Sequence, residues 1–395
     1  MLILQSIVVY TLLTLFMFAF AKRATVAEQH KVLLNAIPII LFTLVFGLRY
    51  SVGVDWENYR EIYEEEMTGM SSLGEMIQNS RLEIGFVLIV YICKVLSFPT
   101  YMMFVICSFI QILLLYCAFK DEDNILPYVY LTFMLSGIAI YGFTNVIRQD
   151  IAFCFFLCAI KFAKNQRIVP YLLLCSCALC FHKSALIIFP CYLLWIKRED
   201  FFHRPLIQII AVFSCFLFQF LNPIGYILGE FSDFITILGY EDYIESAEDM
   251  ATNNKLGITR LTKLFADLII VFSSNDIKKY YNSPLLNRMY DLFLIGVCCS
   301  YLFLGNMMFL RISLYFTNFQ FIVYAYALLY FFSKEIRQLA FRKIMSFIVC
   351  LSLISSYAST IYNSENSTSA YVSYFQTDLH YIKDMQRESM LFKQR

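Results

Sequence analysis

Residues 125–164 read ILPYVYLTFMLSGIAIYGFTNVIRQDIAFCFFLCAIKFAK, an apolar run interrupted once, by Asn145-Val146-Ile147-Arg148-Gln149-Asp150. The flanks are apolar enough for the hydrocarbon of a bilayer, which a helix crosses in about 20 residues. An arginine at that depth costs about 2.5 to 3.5 kcal/mol on insertion scales, so Arg148 needs a reason to be there. The stretch therefore carries two messages: the chain folds in a membrane, and the fold surrounds a cation. A guanidinium offers a fork of donors suited to phosphate oxygens. The plainer alternative is an ion pair with Asp150 or with a helix-end carbonyl.

The rest of the chain agrees. Of 395 residues, 59% are hydrophobic, 18% aromatic and only 15% charged, against about 25% charge in a soluble domain. The mean hydropathy is +0.63. A balance of 31 basic and 30 acidic residues argues against a nucleic-acid partner, which favours a strongly basic domain. Nearly all of the 13 cysteines sit in apolar runs and read as small packing residues. Cys175, Cys177, Cys180 and His182 imitate a metal site in spacing only. Set among leucines and alanines they read as core, with neither a disulfide nor a metal expected.

Apolar segments lie near 2–21, 32–48, 84–97, 99–119, 125–145, 150–164, 168–182, 184–196, 205–222, 262–273, 289–305, 312–332 and 343–361. The fold expected is all-α: a polytopic membrane helical bundle of about 12–13 hydrophobic segments. It occupies residues 1–361, followed by a polar C-terminal tail over 362–395. The first segment lacks a basic leader and a small-residue cleavage site and ends in Lys22-Arg23, so it reads as a span.

Excess lysine and arginine marks cytoplasmic loops. Lys22, Arg23 and Lys31 form the first such loop, and Lys161, Lys164 and Arg167 the second. Lys197, Arg198 and Arg204, then Lys278, Lys279 and Arg288, then Lys334, Arg337, Arg342 and Lys343 follow. Residues 49–83 carry eight acids and three bases, and residues 222–260 seven acids and two bases. Both are expected outside, with 240–256 composed like a short amphipathic helix. Passing from an outer residue 83 to an inner Lys164 takes an odd number of crossings, yet four apolar segments intervene. One of them must be re-entrant or interfacial. Segment 84–97, the shortest and the bearer of Lys94, is the first candidate.

Further polar residues gather on the outer side. Arg49 and Asp55 flank Gly53 and can fold back over the membrane face; an anchoring arginine and a solvated aspartate are the alternative. Glu83 opens an apolar run, where a carboxylate is favoured by the helix dipole whether or not it does chemistry. His182-Lys183-Ser184 separates two apolar segments, and a lone histidine is usually structural. Arg260, Lys263 and Arg311 fall on the same side. The positive-inside bias does not account for cations there; an anionic ligand does. Asp121-Glu122-Asp123 is a weak D-x-D string, expected at the opposite face. There is no phosphate loop, H-E-x-x-H or G-x-S-x-G, so nothing in the chain points to ATP coupling.

Four strings, in order and spacing, resemble the EpsG-type, Wzy-like polysaccharide polymerases of bacteria. They are Arg49-Tyr50-Ser51-Val52-Gly53-Val54-Asp55-Trp56-Glu57-Asn58-Tyr59, Glu83-Ile84-Gly85-Phe86, Ile147-Arg148-Gln149-Asp150-Ile151-Ala152 and Phe181-His182-Lys183-Ser184-Ala185-Leu186. The similarity is strongest over residues 45–195; beyond them it rests on the spans and Arg311. The resemblance implies a glycosyltransferase-C-like helical architecture in the bacterial cytoplasmic (inner) membrane. It implies joining of oligosaccharide repeat units carried on polyprenyl (undecaprenyl) diphosphate, at the extracytoplasmic face, for capsule, exopolysaccharide or O-antigen. The lipid diphosphate is its own leaving group, so no nucleotide, metal or other cofactor is called for. A growing polysaccharide, a flippase and a chain-length co-polymerase are the implied partners.

On that chemistry Arg49, Arg148, Lys183, Arg260 and Arg311 would stabilise the departing diphosphate. Asp55, Glu83 and His182 are alternative bases for the acceptor hydroxyl. Tyr50, Trp56, Tyr59 and Gln149 would contact sugar. The main rival is a flippase or transporter of the lipid-linked oligosaccharide, whose cations should be spread through both halves of the membrane domain. An acyltransferase would use His182 and leave the arginines idle. A non-catalytic scaffold would not need to keep Arg148 and Asp55.

Overall fold

In hydrocarbon a backbone must satisfy its own N–H and C=O groups, which leaves the helix as the open-chain solution. The computed structural model describes residues 2–27, 29–70, 72–122, 124–164, 167–195, 204–221, 257–304, 307–333, 340–362 and 370–385. Among them regular structure is helical throughout, apart from one isolated antiparallel bridge between Arg49 and Ser373. The protein is an all-α, multi-pass membrane protein. Among the described residues five helices are long and apolar enough to cross a bilayer, six if the bent pair Leu126–Leu135 and Ile138–Asn145 counts as one. Several remaining apolar segments are shorter helices, including Lys31–Gly47, Ile84–Val95 and Ile168–Phe181.

The chain divides into two compact units, Met1–Phe189 with Ser356–Arg395, and Pro190–Ser355. The first unit contains α1 (Leu2–Ala24), α2 (Lys31–Gly47), α3 (Trp56–Glu61), α4 (Leu73–Asn79) and α5 (Ile84–Val95). It continues through α6 (Thr100–Phe119), α7 (Leu126–Leu135), α8 (Ile138–Asn145), α9 (Ile147–Lys164) and α10 (Ile168–Phe181). Here α1 packs on α2 and α7, α2 on α6, α6 on α9, and α9 on α10.

The two ends of this unit differ in charge. At the basic end Lys22 lies 5.5 Å above the Tyr128 ring. Lys161 Nζ donates there to Asp121 Oδ2 at 2.6 Å and to the Cys117 carbonyl at 3.2 Å. The basic loops assigned to the cytoplasm thus meet, and the first carboxylate of the D-x-D string pairs with one of their lysines. Arg148 stands at the opposite, acidic end, about 20 Å from Lys161 along α9.

Helix α5 does not run from one end of the unit to the other. Glu83, just before it, meets α9 and the end of α10. Lys94, in its last turn, lies 4.5 Å over the Tyr63 ring and donates to Thr68 Oγ1 at 3.2 Å. Both ends of α5 therefore stay with the acidic layer. Its 12 residues span about 18 Å, short of the roughly 30 Å of a bilayer core. The chain enters α6 from the same end, where Thr100 Oγ1 donates to Glu64 Oε1 at 2.5 Å. From there α6, the bent pair α7–α8 and α9 run in turn between the acidic and the basic end of the unit.

Residues 125–145, read as one segment, are two helices bent by 77°. A second break at Val146 separates α8 from α9. Broken helices strand carbonyls in an apolar medium. Gln111 of α6, 1% exposed, reaches those of Phe143 and Ile147 at 3.4 Å each. The segment read as 184–196 is not an α-helix but two 3-10 turns, Lys183–Ile188 and Pro190–Trp195. Proline supplies no N–H at the junction.

The tail read as polar is built into the first unit. Tyr50 N donates to the Val372 carbonyl at 2.8 Å, and Tyr374 N to the Leu48 carbonyl at 2.7 Å. Leu2, Ala370, Val372 and Leu379 form a small apolar cluster behind this pairing.

The second unit contains helices Pro205–Phe218, Ile258–Phe272, Ser274–Tyr281, Pro284–Leu302, Met307–Thr317 and Phe319–Phe332, with most of Ala340–Tyr362. Arg342 pairs with Asp276 at 2.7 Å, joining two of the basic loops. Its core holds a carboxylate: Asp267 is 0% exposed and accepts from Tyr301 at 3.0 Å, Tyr324 at 2.9 Å and Gln320 at 3.0 Å. The amphipathic stretch 240–256, and most of the loop around it, lies outside the described residues.

Candidate functional site

The four motif strings converge at the acidic end of the first unit. The turn after α2 is sewn onto the end of α8. Arg49, 2% exposed, donates to the carbonyls of Phe46, Val52 and Thr144, and its guanidinium lies 4.8 Å from the Phe104 ring centre. Val54 N donates to Asn145 Oδ1. Gly53 has φ +107°, and a Cβ there would come within 2.6 Å of the Thr144 carbonyl. Glycine alone accepts both conditions. Arg49 is thus tied to backbone, and through it the loop carrying Asp55 and Trp56 is held against the residues before Arg148.

The second and fourth strings meet in the same way. A Cβ on Gly85 would approach the Cys180 carbonyl to 2.8 Å and the Phe181 ring to 3.0 Å, so glycine brings α5 onto the end of α10. That contact aims Glu83 at two partners. One carboxylate oxygen pairs with Arg148 Nη1, and the other accepts from the Lys183 amide at 3.0 Å. Arg148 and Glu83 side chains are 20% and 10% exposed. Arg148 Nε is buried with no hydrogen-bond partner among the described residues. The Tyr59 phenol, 3% exposed, faces Arg148 closely enough to feel its charge. Burial pushes that phenol up to about 12, against the pull of Arg148, so it remains a neutral hydroxyl at physiological pH.

The remaining expected residues are placed as follows. His182 Nδ1 contacts Ser184 Oγ at 2.6 Å and accepts from Ser184 N at 3.2 Å, capping the 3-10 turn. Asp55 precedes α3, half-buried, and acts electrostatically on Tyr59. Gln149 is 1% exposed. Tyr50 and Trp56 line a polar cavity in the acidic layer. Arg260 and Arg311 belong to the second unit: Arg260 Nη1 is buried without a hydrogen-bond partner among the described residues, and Arg311 is exposed.

From Ile84, the residue after Glu83, a groove of about 500 Å³ runs along α5. Ile84, Gly85, Leu88, Ile92, Phe155 and Phe181 line it, with Cys177 and Cys180 on the α10 wall, and it is almost wholly apolar. Helix α5 thus carries Glu83 just before its first residue and a hydrocarbon-lined slot along its side. Sequence reading did not find Asn145 as the anchor of the loop, because a single asparagine carries no motif. It also missed Tyr374, His380 and Asp384, which face the motif from a segment more than 300 residues away. Asp267 was legible in principle, as a carboxylate inside the apolar run 262–273.

The EpsG family model matches residues 32–375, nearly the whole chain and all four strings. Neither a curated protein nor a solved structure matches it.

Proposed function

The chain belongs to the EpsG family, and from that premise we propose that it is a polysaccharide polymerase of the bacterial cytoplasmic membrane. It joins saccharide units carried on a polyprenyl diphosphate, at the extracytoplasmic face. One observation carries this reading: Arg148, whose buried Nε has no hydrogen-bond partner among the described residues, pairs with Glu83, and the helix that starts at the next residue walls an apolar groove from Ile84 to Ile92. A polyprenyl diphosphate has the same division, a doubly charged head joined to a long hydrocarbon. The isoprene units next to the head lie along α5 and α10, and the diphosphate takes the Arg148 fork and the Lys183 ammonium.

In the reaction an acceptor hydroxyl attacks the anomeric carbon, the bond from that carbon to the diphosphate oxygen breaks, and lipid diphosphate departs. Negative charge grows on the leaving oxygen, where a preoriented guanidinium acts most strongly. Glu83 holds Arg148 in place until the diphosphate arrives. As Arg148 turns its charge to that ligand, Glu83 loses its counter-ion and accepts the hydroxyl proton. His182 keeps the Lys183 turn in shape through Ser184, and Asp55 sits beside Tyr59 on the sugar side. Arg49 serves the site by fixing the loop.

The test is complementation of a strain deleted for the gene, with surface glycan resolved by length. At matched protein levels the wild-type chain restores a ladder, and Arg148→Ala yields single repeat units only. Full-length polymer from Arg148→Ala overturns the assignment of that residue. A wild-type chain that alters export but never chain length overturns the polymerase reading in favour of a flippase.

A further inference from the structure

The cavity at the acidic end encloses about 670 Å³, a size typical of small-ligand sites. Aromatic rings form part of its wall: Tyr50 and Trp56 lie 5.0 Å apart at 60°, and Tyr101 and Tyr374 lie 4.7 Å apart at 51°. Ring faces at different tilts fit the apolar faces of successive sugar rings. Between them stand the carboxylates of Glu57, Glu61, Glu64 and Asp384, acceptors for pairs of hydroxyl or amino donors.

Charge makes the cavity selective. Arg60 is its one guanidinium and is already shared between Glu57, at 2.7 Å from Nε, and Glu64. Asp384 accepts from the Tyr50 hydroxyl at 3.1 Å, and Glu61 forms no ion pair among the described residues. Four carboxylates stand against one guanidinium, an excess of three acidic groups over Arg60. Such a cavity repels phosphate and uronate alike.

We propose that this cavity binds the acceptor saccharide, and that its carboxylates select sugars bearing no acidic group. The inference rests on the polymerase reading and divides the labour: the diphosphate-linked donor goes to Arg148, the acceptor to the acidic cavity. The C-terminal segment is the outer wall of the acceptor site. His380 stacks on Tyr50 with ring centres 3.5 Å apart and 6° between planes, and Asp384 ties the Tyr50 hydroxyl. Tyr374 and Thr377 complete that wall.

The chain has two tryptophans, so Trp195→Phe leaves Trp56 as a reporter inside the cavity. Full-length Trp195→Phe protein in nanodiscs is titrated with chitotetraose, its de-N-acetylated counterpart and tetragalacturonate. The expected result is a change in indole fluorescence with the first two and binding of the uronate at least about tenfold weaker, as like charge demands. Adding Glu61→Gln and Asp384→Asn narrows that gap. Uronate binding as tight as that of the neutral sugar overturns the proposal. So does a silent indole with every saccharide, or saturation by micromolar calcium, which makes the cavity a cation site. Arg148→Ala leaves these titrations unchanged. If the saccharides bind while Arg148→Ala still makes full-length polymer, the cavity stands and the donor site falls. If Arg148→Ala abolishes polymer and no saccharide binds, the reverse holds.

Discussion

Arg148 and Glu83, 65 residues apart in the chain, meet as an ion pair whose carboxylate also accepts from the Lys183 amide. One carboxylate thereby reports on two helices and on the turn between α10 and the first 3-10 segment. Removing either charge does more than delete a contact, because the partner remains in a poorly hydrated place.

Arg148→Ala is therefore expected to lower the melting temperature of the detergent-solubilised protein, and Arg148→Ala with Glu83→Ala to restore part of it. Both lack polymerase activity. Arg148→Lys retains charge without the fork and is expected to fold normally with sharply reduced polymer. Equal melting temperatures for the single and double variants would show that the pair contributes nothing to folding.

The two motif glycines should behave differently. Gly53→Ala meets both a positive φ and a carbonyl at 2.6 Å, and such strain costs about 1–3 kcal/mol. Gly85→Ala has ordinary backbone angles but meets the Cys180 carbonyl at 2.8 Å, a backbone atom that cannot swing aside, so α5 must move away from α10. The melting temperature should fall for both, more for Gly53→Ala, which meets strain as well as a clash, with both losing long glycan. A Gly85→Ala protein that makes polymer of normal length refutes the need for close packing there.

Filling the apolar groove should act on donor binding alone. Ile92→Trp places an indole in the slot from a residue 42% exposed. The KM for a polyprenyl-diphosphate-linked donor is expected to rise several-fold with kcat nearly kept, as for lost uniform binding. Unchanged KM, or a change confined to kcat, removes the groove from the donor site.

In the second unit Asp267→Ala leaves Tyr301, Tyr324 and Gln320 donors without their acceptor. Each unsatisfied buried group costs about 1–3 kcal/mol, so the variant should unfold at much lower temperature or fail to accumulate. Asp267→Asn keeps one acceptor oxygen and should lie between. Wild-type melting for both would mean that the three donors find other partners.

Alkaline pH should loosen the acidic layer first. Burial is the largest cause that pushes the phenols of Tyr50, Tyr59 and Tyr63 up to about 12, from an ordinary value of 10.0. The folded state thus holds protons that the unfolded chain releases, so stability is steady below pH 10 and declines between pH 10 and about 12. Tyr59→Phe should flatten part of that decline, measured as melting temperature against pH. A melting temperature that stays level to pH 12 contradicts the burial of these phenols.

Much of this was legible in the chain. The broken run 125–164 announced a membrane fold and Arg148 together, and the short segment around Lys94 forms a helix of 12 residues. Two of the basic loops meet at one end of the first unit, where Lys22 and Lys161 reach Tyr128 and Asp121. What escaped was long-range. Glu83 as the partner of Arg148 depends on Gly85 meeting Cys180, and no local signal distinguishes it from the neighbouring Asp150. The bend in 126–145 hides in a sequence that is apolar from end to end. The tail looked polar because its packing partners, Leu48, Tyr50 and Leu2, lie at the far end of the chain.

That last pairing sets an order of events during synthesis. Tyr50 leaves the ribosome 334 residues before Asp384, so every motif string is made and inserted while the wall of its cavity does not yet exist. A nascent or prematurely terminated chain would carry all four strings and still lack a finished pocket. The cavity is in effect closed by residues made late, and a half-made copy in the membrane lacks the wall that Tyr374, His380 and Asp384 supply.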